Sequence, residues 1–194
     1  MEKIYIVLTH TGTLLSRLIK AWTKDEFSHV SISLDEKLDQ MYSFGRLNPY
    51  NPLYGGFVHE GIKIGTFKRF KKTEALIYAL DVTQQQYIQI KNEIIKFEEH
   101  KKEYSFNVIG LLAVGFHKKI QLNQSFYCAE FVKYILERGD IKTNLPKIVR
   151  PEDFKNIENY TIIYKGKLRK WSIGDTPKCS KNLKAIETKG VKVD

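Results

Sequence analysis

The most informative segment of the chain reads Asn123-Gln-Ser-Phe-Tyr-Cys-Ala-Glu-Phe-Val-Lys-Tyr-Ile-Leu-Glu-Arg-Gly139. Ser125 is of the type that caps helix N-termini, and Gly139 is of the type that follows a helix. Between them, apolar residues recur at helical spacing on the same face as Cys128: Phe131, Val132, Ile135 and Leu136. The segment therefore predicts a helix with Cys128 about three residues inside its N-terminus.

Cys128 has two interpretations on this helix. Near the positive end of the helix dipole a thiolate is stabilised, which makes a cysteine a usable nucleophile. On the apolar face, the same residue is explained more simply as a small buried hydrophobe at the end of a core stripe. The helix alone leaves both open, and the rest of the chain has to decide between them.

The length of 194 residues fits one domain, which we place at 1–172, followed by a basic C-terminal tail at 173–194. The chain has two cysteines, Cys128 and Cys179, too few for a disulfide scaffold, so a reducing compartment is the simpler assumption. Neither a secretory signal nor an apolar run long enough to cross a membrane is apparent. We therefore expect a soluble, cytoplasmic protein.

The formal net charge is +10, and much of the excess lies between Lys165 and Lys192. Such a tail is a candidate to bind an anionic surface such as lipid, nucleic acid or cell-wall polymer, although solubility alone also explains it. The sequence contains no nucleic-acid-binding motif, zinc-ligand spacing or glycine-rich phosphate loop. We expect no specific nucleic-acid partner, no metal and no cofactor.

A sheet is predicted around the alternating segment Phe27–Leu34. There Val30, Ile32 and Leu34 point to one face, and His29 leads a row of serines on the other, which predicts a half-buried strand with a polar second face. The next predicted strand, Gln40–Arg46, follows a short turn and should be antiparallel to it. The fold class predicted is α+β, with an antiparallel sheet packed against the helix that carries the cysteine.

Residues 47–73 are rich in Pro, Gly and aromatic residues, and the segment is too long and too apolar to serve only as a connection between two elements. Loops of this size are commonly lids or binding loops. Four of their side chains are candidates to line a pocket: Tyr50, Tyr54, Phe57 and His59. The alternative is a short strand around Gly61–Phe67 packed on the core. In the last part of the chain, Tyr160–Trp171 predicts a hairpin that turns at Lys165-Gly166.

A cysteine nucleophile needs a base and a group that orients the base. His29 can meet Cys128 if the helix packs on the sheet. The orienting group should come from the neighbouring strand, where Ser43 and Tyr42 are the candidates, and Glu60 is a charged alternative if the long segment folds back. The backbone N–H of Cys128 is one donor for an oxyanion.

Two motifs in this order, Phe27-Ser-His-Val-Ser-Ile32 and Tyr127-Cys-Ala-Glu-Phe-Val132, resemble the circularly permuted papain-like hydrolases. These form the YiiX-like branch of the NlpC-type amidases. The resemblance covers about residues 4–155 and implies a papain-like fold with Cys128 as nucleophile and His29 as base. That family often carries a glutamate on the strand after the histidine, whereas this strand reads Met41-Tyr-Ser-Phe44.

The function predicted is a thiol hydrolase of the amidase or peptidase type that cleaves a small peptide-like or acyl substrate through an acyl-enzyme. The alternatives are a thioester-based acyltransferase and a non-catalytic papain-like module that binds an anionic partner. The predicted catalytic residues are Cys128, His29 and Ser43. The predicted substrate-binding residues are Tyr42, Tyr50, Tyr54 and Tyr127.

Overall fold

The computed structural model describes residues 1–13, 16–17, 20, 24–48, 51–107 and 124–172, with the side chains of 51–54 excepted. The basic tail, 173–194, lies outside the described residues, and so does Cys179. The domain prediction for 1–172 and the role of the tail therefore stay predictions.

A six-stranded sheet organises the described chain, in the order β4-β3-β2-β1-β5-β8 with every neighbouring pair antiparallel. Two short strands, β6 and β7, pair in parallel beside it. The strands are β1 (Glu2–His10), β2 (His29–Ser33), β3 (Met41–Asn48), β4 (Asn51–Glu60), β5 (Glu74–Val82), β6 (Ser105–Phe106), β7 (Ser125–Phe126) and β8 (Tyr160–Lys167). The predicted α+β class with an antiparallel sheet is confirmed.

The α-helices whose full extent lies among the described residues are α1 (Gly65–Arg69), α2 (Gln84–Glu99) and α3 (Cys128–Arg138). Two 3₁₀ helices, Pro151–Asn156 and Leu168–Lys170, follow them. Helix α2 begins where a capping box predicts: the Thr83 hydroxyl accepts the Gln86 backbone N–H and the Gln86 side chain accepts the Thr83 N–H. No helix in the described part of the chain combines the length and apolar character that a membrane span requires.

Both faces of the sheet are buried. On the first face, α3 packs against β2 and β3, and α2 packs against α3 and β1. The core there includes Ile4, Ile6, Val30, Ile32, Phe44, Phe131 and Ile135. The second face is covered by α1 and the Leu168–Lys170 helix, around Val7, Met41, Phe67, Ile77 and Trp171.

The strand that carries His29 is consequently not half-buried, as the alternation predicts, but buried on both faces. Ser31 and Ser33 have no exposed surface. Because a buried hydroxyl needs a hydrogen-bond partner, each serine has one within the fold. Ser31 donates to the Glu60 carboxylate, and Ser33 to the backbone carbonyl of Asp35. The polar face of β2 is thus an internal hydrogen-bonding surface.

Three expectations about chain segments are wrong. Residues 51–60 form β4 in a hairpin with β3, rather than a lid, and Gly65–Arg69 is a helix rather than a strand. Ser125 does not cap the cysteine helix, since it lies in β7 and the N-cap is Tyr127. Residues 160–167 are one strand paired with β5, so no hairpin turns at Gly166.

Helix α3 contacts α2 most closely at its C-terminus. Gly139 is the C-cap there, and a Cβ atom at this position would lie 2.4 Å from Ile90 Cγ1 and 2.7 Å from its Cδ1. The glycine is required by this close approach rather than by its backbone conformation, since its φ is −81°. Ile90 is completely buried and has little room to retreat.

Replacing Gly139 by Ala should therefore destabilise the protein by about 1–3 kcal/mol through overpacking. Urea unfolding followed by circular dichroism measures the change. In an Ile90→Ala background the cost of the alanine should nearly vanish, because the clashing atoms are gone. An equal cost in both backgrounds would contradict this account.

Candidate active site

A narrow cleft opens where β2, β3 and β4 meet the N-terminus of α3. Its described lining includes Cys128 of α3, His29 of β2 and Glu60 of β4. Apolar side chains form part of its walls, and a cluster of hydroxyl groups and one guanidinium form another part. The apolar residues are Phe44, Phe67 and Phe106, and the polar ones are Thr11, Thr13, Ser16, Ser28, Arg46 and Thr66.

Cys128 is the first residue of α3 rather than a residue one turn inside it. Its side chain is a free thiol with 3% of its surface exposed. The helix face behind it is buried in the first-face core, as the spacing predicts: Ala129, Phe131, Val132, Ile135 and Leu136. Core packing thus directs the N-terminus of α3, the positive end of its dipole, toward the cleft that Cys128 lines.

His29 is the first residue of β2, and ionic contacts hold the chain immediately before it. The Phe27 backbone N–H donates to Glu152 Oε2 at 3.2 Å, and Lys155 contacts both Glu152 and Glu26. Arg150 pairs with Asp25 at 3.2 Å. These contacts join the residues preceding β2 to the Pro151–Asn156 helix and so limit where the His29 ring can lie.

Glu60 is the orienting group of the histidine. Its two carboxylate oxygens lie 3.0 and 3.2 Å from His29 Nε2, and Ser31 donates a further hydrogen bond to it. The Glu60 side chain has 9% of its surface exposed. The Cys128 side chain lies close enough to the same ring to contribute to the pKa of His29, and with Nε2 engaged by the carboxylate the ring nitrogen left for it is Nδ1.

The protonation of His29 follows from these neighbours. Burial of the ring lowers its pKa, but the charge of Glu60 and the hydrogen bonds to Cys128 and Glu60 outweigh burial and raise the pKa to about 10. The ring is therefore an imidazolium at neutral pH. This imidazolium lies beside the side chain of Cys128, the candidate nucleophile.

Gly45 leaves room for the histidine and the carboxylate. A Cβ atom built there would lie 3.5 Å from His29 Cε1 and 3.7 Å from Glu60 Oε1. These are ordinary contact distances, so the backbone of β3 is already against the pair. Any side chain longer than alanine at this position would occupy the space of the pair.

Of the predicted catalytic residues, the structure brings Cys128 and His29 together but not Ser43. The Ser43 hydroxyl donates to the Val30 carbonyl at 2.7 Å, which ties β3 to β2. Tyr42, the other candidate for the orienting role, stacks on Phe57 and His59 instead. The predicted alternative, Glu60, has the orienting role instead. It can reach the histidine because β4 pairs with β3 and Glu60 is the residue paired with Met41.

The predicted substrate-binding tyrosines fare differently. Tyr127 is buried and its hydroxyl donates to the Val149 carbonyl at 3.0 Å, so it is not directed to a substrate. Tyr42 is buried by its stacking partners and is not part of the cleft lining. Tyr50 and the side chain of Tyr54 lie outside the described residues.

Sequence reasoning missed the polar lining of the cleft, above all Arg46. The signal was weak, because Arg46 ends a predicted strand and follows a glycine with no recognisable motif. Within the described ranges, no group of three or more side chains has the arrangement of a metal site. Comparison with models of known families and with curated proteins finds no match to this chain.

Replacing Glu60 by Gln should lower the pKa of His29 from about 10, because the charge that opposes burial is removed. The Cε1–H resonance of His29, followed by NMR as a function of pH and assigned by its loss in His29→Gln, measures the change. Ser31→Ala is the matched control, since it removes a hydrogen bond to Glu60 but keeps the charge. An unchanged titration in Glu60→Gln would contradict the pairing.

The same pairing predicts a pH-dependent stability. The pKa of His29 is raised from 6.5 to about 10 on folding, so its stabilising contribution is complete below pH 6.5 and is lost as pH rises through 10. The difference in unfolding free energy between wild type and His29→Gln should therefore shrink from pH 6.5 to pH 10. Urea unfolding of both proteins across this range measures it, and a constant difference would refute the prediction.

Proposed function

We propose that the protein is a thiol hydrolase that cleaves an amide or related acyl bond through an acyl-enzyme on Cys128. One observation carries the proposal: a cysteine at a helix N-terminus, a histidine and a carboxylate line a single cleft in the order that nucleophilic catalysis needs. A thiol that served only as a core hydrophobe would not need a partly buried histidine beside it that is paired with a carboxylate.

In the first half-reaction, the Cys128 sulfur attacks the carbonyl carbon and forms a C–S bond. The carbonyl oxygen becomes an oxyanion, for which the Cys128 backbone N–H at the start of α3 is a donor. His29 gives its proton to the leaving amine as the C–N bond breaks. The products of this half-reaction are a thioester on Cys128 and a free amine.

In the second half-reaction, His29, now neutral, takes a proton from water, and the hydroxide attacks the thioester. The C–S bond breaks, the carboxylic acid leaves, and Cys128 and His29 return to the thiolate and imidazolium. Glu60 keeps its charge throughout. It holds Nε2 and stabilises the imidazolium that each cycle regenerates, a stronger effect than an orienting hydroxyl would have.

A circularly permuted papain-like identity of the YiiX-like kind is part of the proposal. Its support is the chain order, in which the histidine strand precedes the cysteine helix, together with the antiparallel sheet on which that helix packs. The glutamate that the resemblance leads one to seek on the strand after the histidine stands here one strand further on, at the end of β4.

Acyl transfer is the second candidate, since it uses the same thioester. Cys128 has only 3% of its surface exposed, and Phe44, Phe67 and Phe106 line the cleft. Apolar walls limit access by water, which favours transfer to an amine or alcohol that the cleft binds. The two reactions differ only in the acceptor that resolves the thioester.

The proposal predicts that Cys128 is activated by His29. In a Cys179→Ser background Cys128 is the sole thiol, and iodoacetamide at pH 7 should alkylate it at least about tenfold faster than it alkylates the same protein carrying His29→Gln. Burial of the sulfur is common to both proteins, so their ratio reports activation. Mass spectrometry of the intact protein over time measures the rates.

Acylation is tested with p-nitrophenyl acetate. Wild type should release a burst of nitrophenolate equal to the enzyme concentration and acquire an acetyl group on Cys128, whereas Cys128→Ala should show neither. Added hydroxylamine accelerates turnover if a thioester accumulates. Equal alkylation rates with and without His29, and no burst, would refute the hydrolase and the transferase alike and leave a binding module.

A further inference from the structure

Arg46 stands out in the cleft because it is a cation without a carboxylate partner among the described residues. Its Nη2 donates to the Thr13 hydroxyl at 3.1 Å, and its guanidinium carbon lies 5.8 Å from the centroid of the Phe70 ring. The side chain is partly buried, and its contacts set its direction without neutralising its charge. A partly buried guanidinium still has several donors to offer.

Arg69 adds positive charge beside Arg46. Burial and then repulsion by Arg69 lower the pKa of Arg46. At the same end of the sheet, burial and then the charges of Lys20 and Arg17 lower the pKa of His10, whose Nδ1 lies 3.4 Å from the Ser28 hydroxyl, while the charge of Glu74 acts in the opposite direction. The carboxylate that lines the cleft, Glu60, is itself paired with His29.

The hydroxyl groups beside Arg46 complete a polar half of the cleft. Thr11, Thr13, Ser16 and Ser28 line it together with Arg46, and phenylalanine rings line it as well. Hydroxyl donors and a planar guanidinium suit a carboxylate, which accepts two parallel hydrogen bonds from arginine. In β3, Arg46 directly follows Gly45, whose backbone lies against the histidine–carboxylate pair, and both residues line the cleft.

We propose that Arg46 is the specificity-determining residue of the cleft and binds a carboxylate that the substrate carries close to its scissile bond. The substrate class is therefore an acidic acyl or peptide-like amide. This inference rests on the proposed thiol chemistry at Cys128. Arg46 binds substrate through its charge and its planar fork of donors, while the phenylalanine rings contact the apolar part of the acyl group.

The test uses two alkylating probes of nearly equal size, iodoacetate and iodoacetamide, which differ in one carboxylate. With either, the Cys128 sulfur forms a bond to the probe's CH₂ carbon and iodide leaves. In the Cys179→Ser background, the ratio of the iodoacetate to the iodoacetamide rate should fall by about tenfold in Arg46→Gln, the effect of one charge-assisted hydrogen bond. The charge of His29 attracts iodoacetate equally in both proteins, so its effect cancels when the two rate ratios are compared.

Two variants separate a bound carboxylate from a general field. Arg69→Gln removes a neighbouring charge that does not line the cleft, and it should change the ratio little. Arg46→Lys keeps the charge but lacks the planar fork, so it should restore part of the preference. Circular dichroism confirms that each variant is folded, and the iodoacetamide rate shows that Cys128 remains reactive.

The outcomes distinguish the two proposals. If Cys128 reacts quickly with iodoacetamide in a His29-dependent manner but the probe ratio is the same in Arg46→Gln as in wild type, the carboxylate site is refuted and the thiol chemistry stands. An equal loss of preference in Arg69→Gln and Arg46→Gln also refutes the site, since it shows only a long-range field. A Cys128 that reacts slowly with both probes, whether or not His29 is present, refutes the thiol chemistry itself.

Discussion

The site depends on one buried carboxylate. Removing Glu60 from water is costly unless the charge is paired and its oxygens accept hydrogen bonds. The fold meets this requirement with His29 on one side and Ser31 beneath it. Two polar residues of β2 are thereby matched to the last residue of β4, across the intervening strand β3. The arrangement needs each strand in its exact register, because a slip by one residue would turn these side chains to the opposite face.

The pairing of His29 with Glu60 links structure to reactivity because it controls the charge of the imidazole ring beside Cys128. Burial alone would lower the pKa of His29 and leave the imidazole neutral. The Glu60 carboxylate reverses that and keeps a cation beside the sulfur of Cys128. Helix α3 adds its dipole at the same point, since it begins at the cysteine itself. Cys128, with 3% of its surface exposed, thus lies beside the His29 imidazolium and at the N-terminus of α3.

Much of the rest of the chain holds these groups in place. The apolar face of α3 packs on β2 and β3 and sets the position of Cys128. The ion pairs that join residues 25–27 to 150–155 hold the chain before His29. Arg46 belongs to the same strand as Gly45, so the backbone that makes room for the histidine also presents the guanidinium. A single cleft is consequently lined by the reacting groups and by a guanidinium with several hydroxyl groups.

The sequence by itself determined the elements whose signal is local. The helical spacing after Cys128 and the alternation around His29 depend only on neighbours in the chain, and the helix and the strand that they predict are present. Only the tertiary structure decided which side chains meet. From the sequence, Ser43 and Glu60 were both candidates to orient His29. The pairing of β4 with β3 brings Glu60 to the histidine. It is the pairing of distant strands that determines such a choice, and no local pattern in residues 47–73 encodes it.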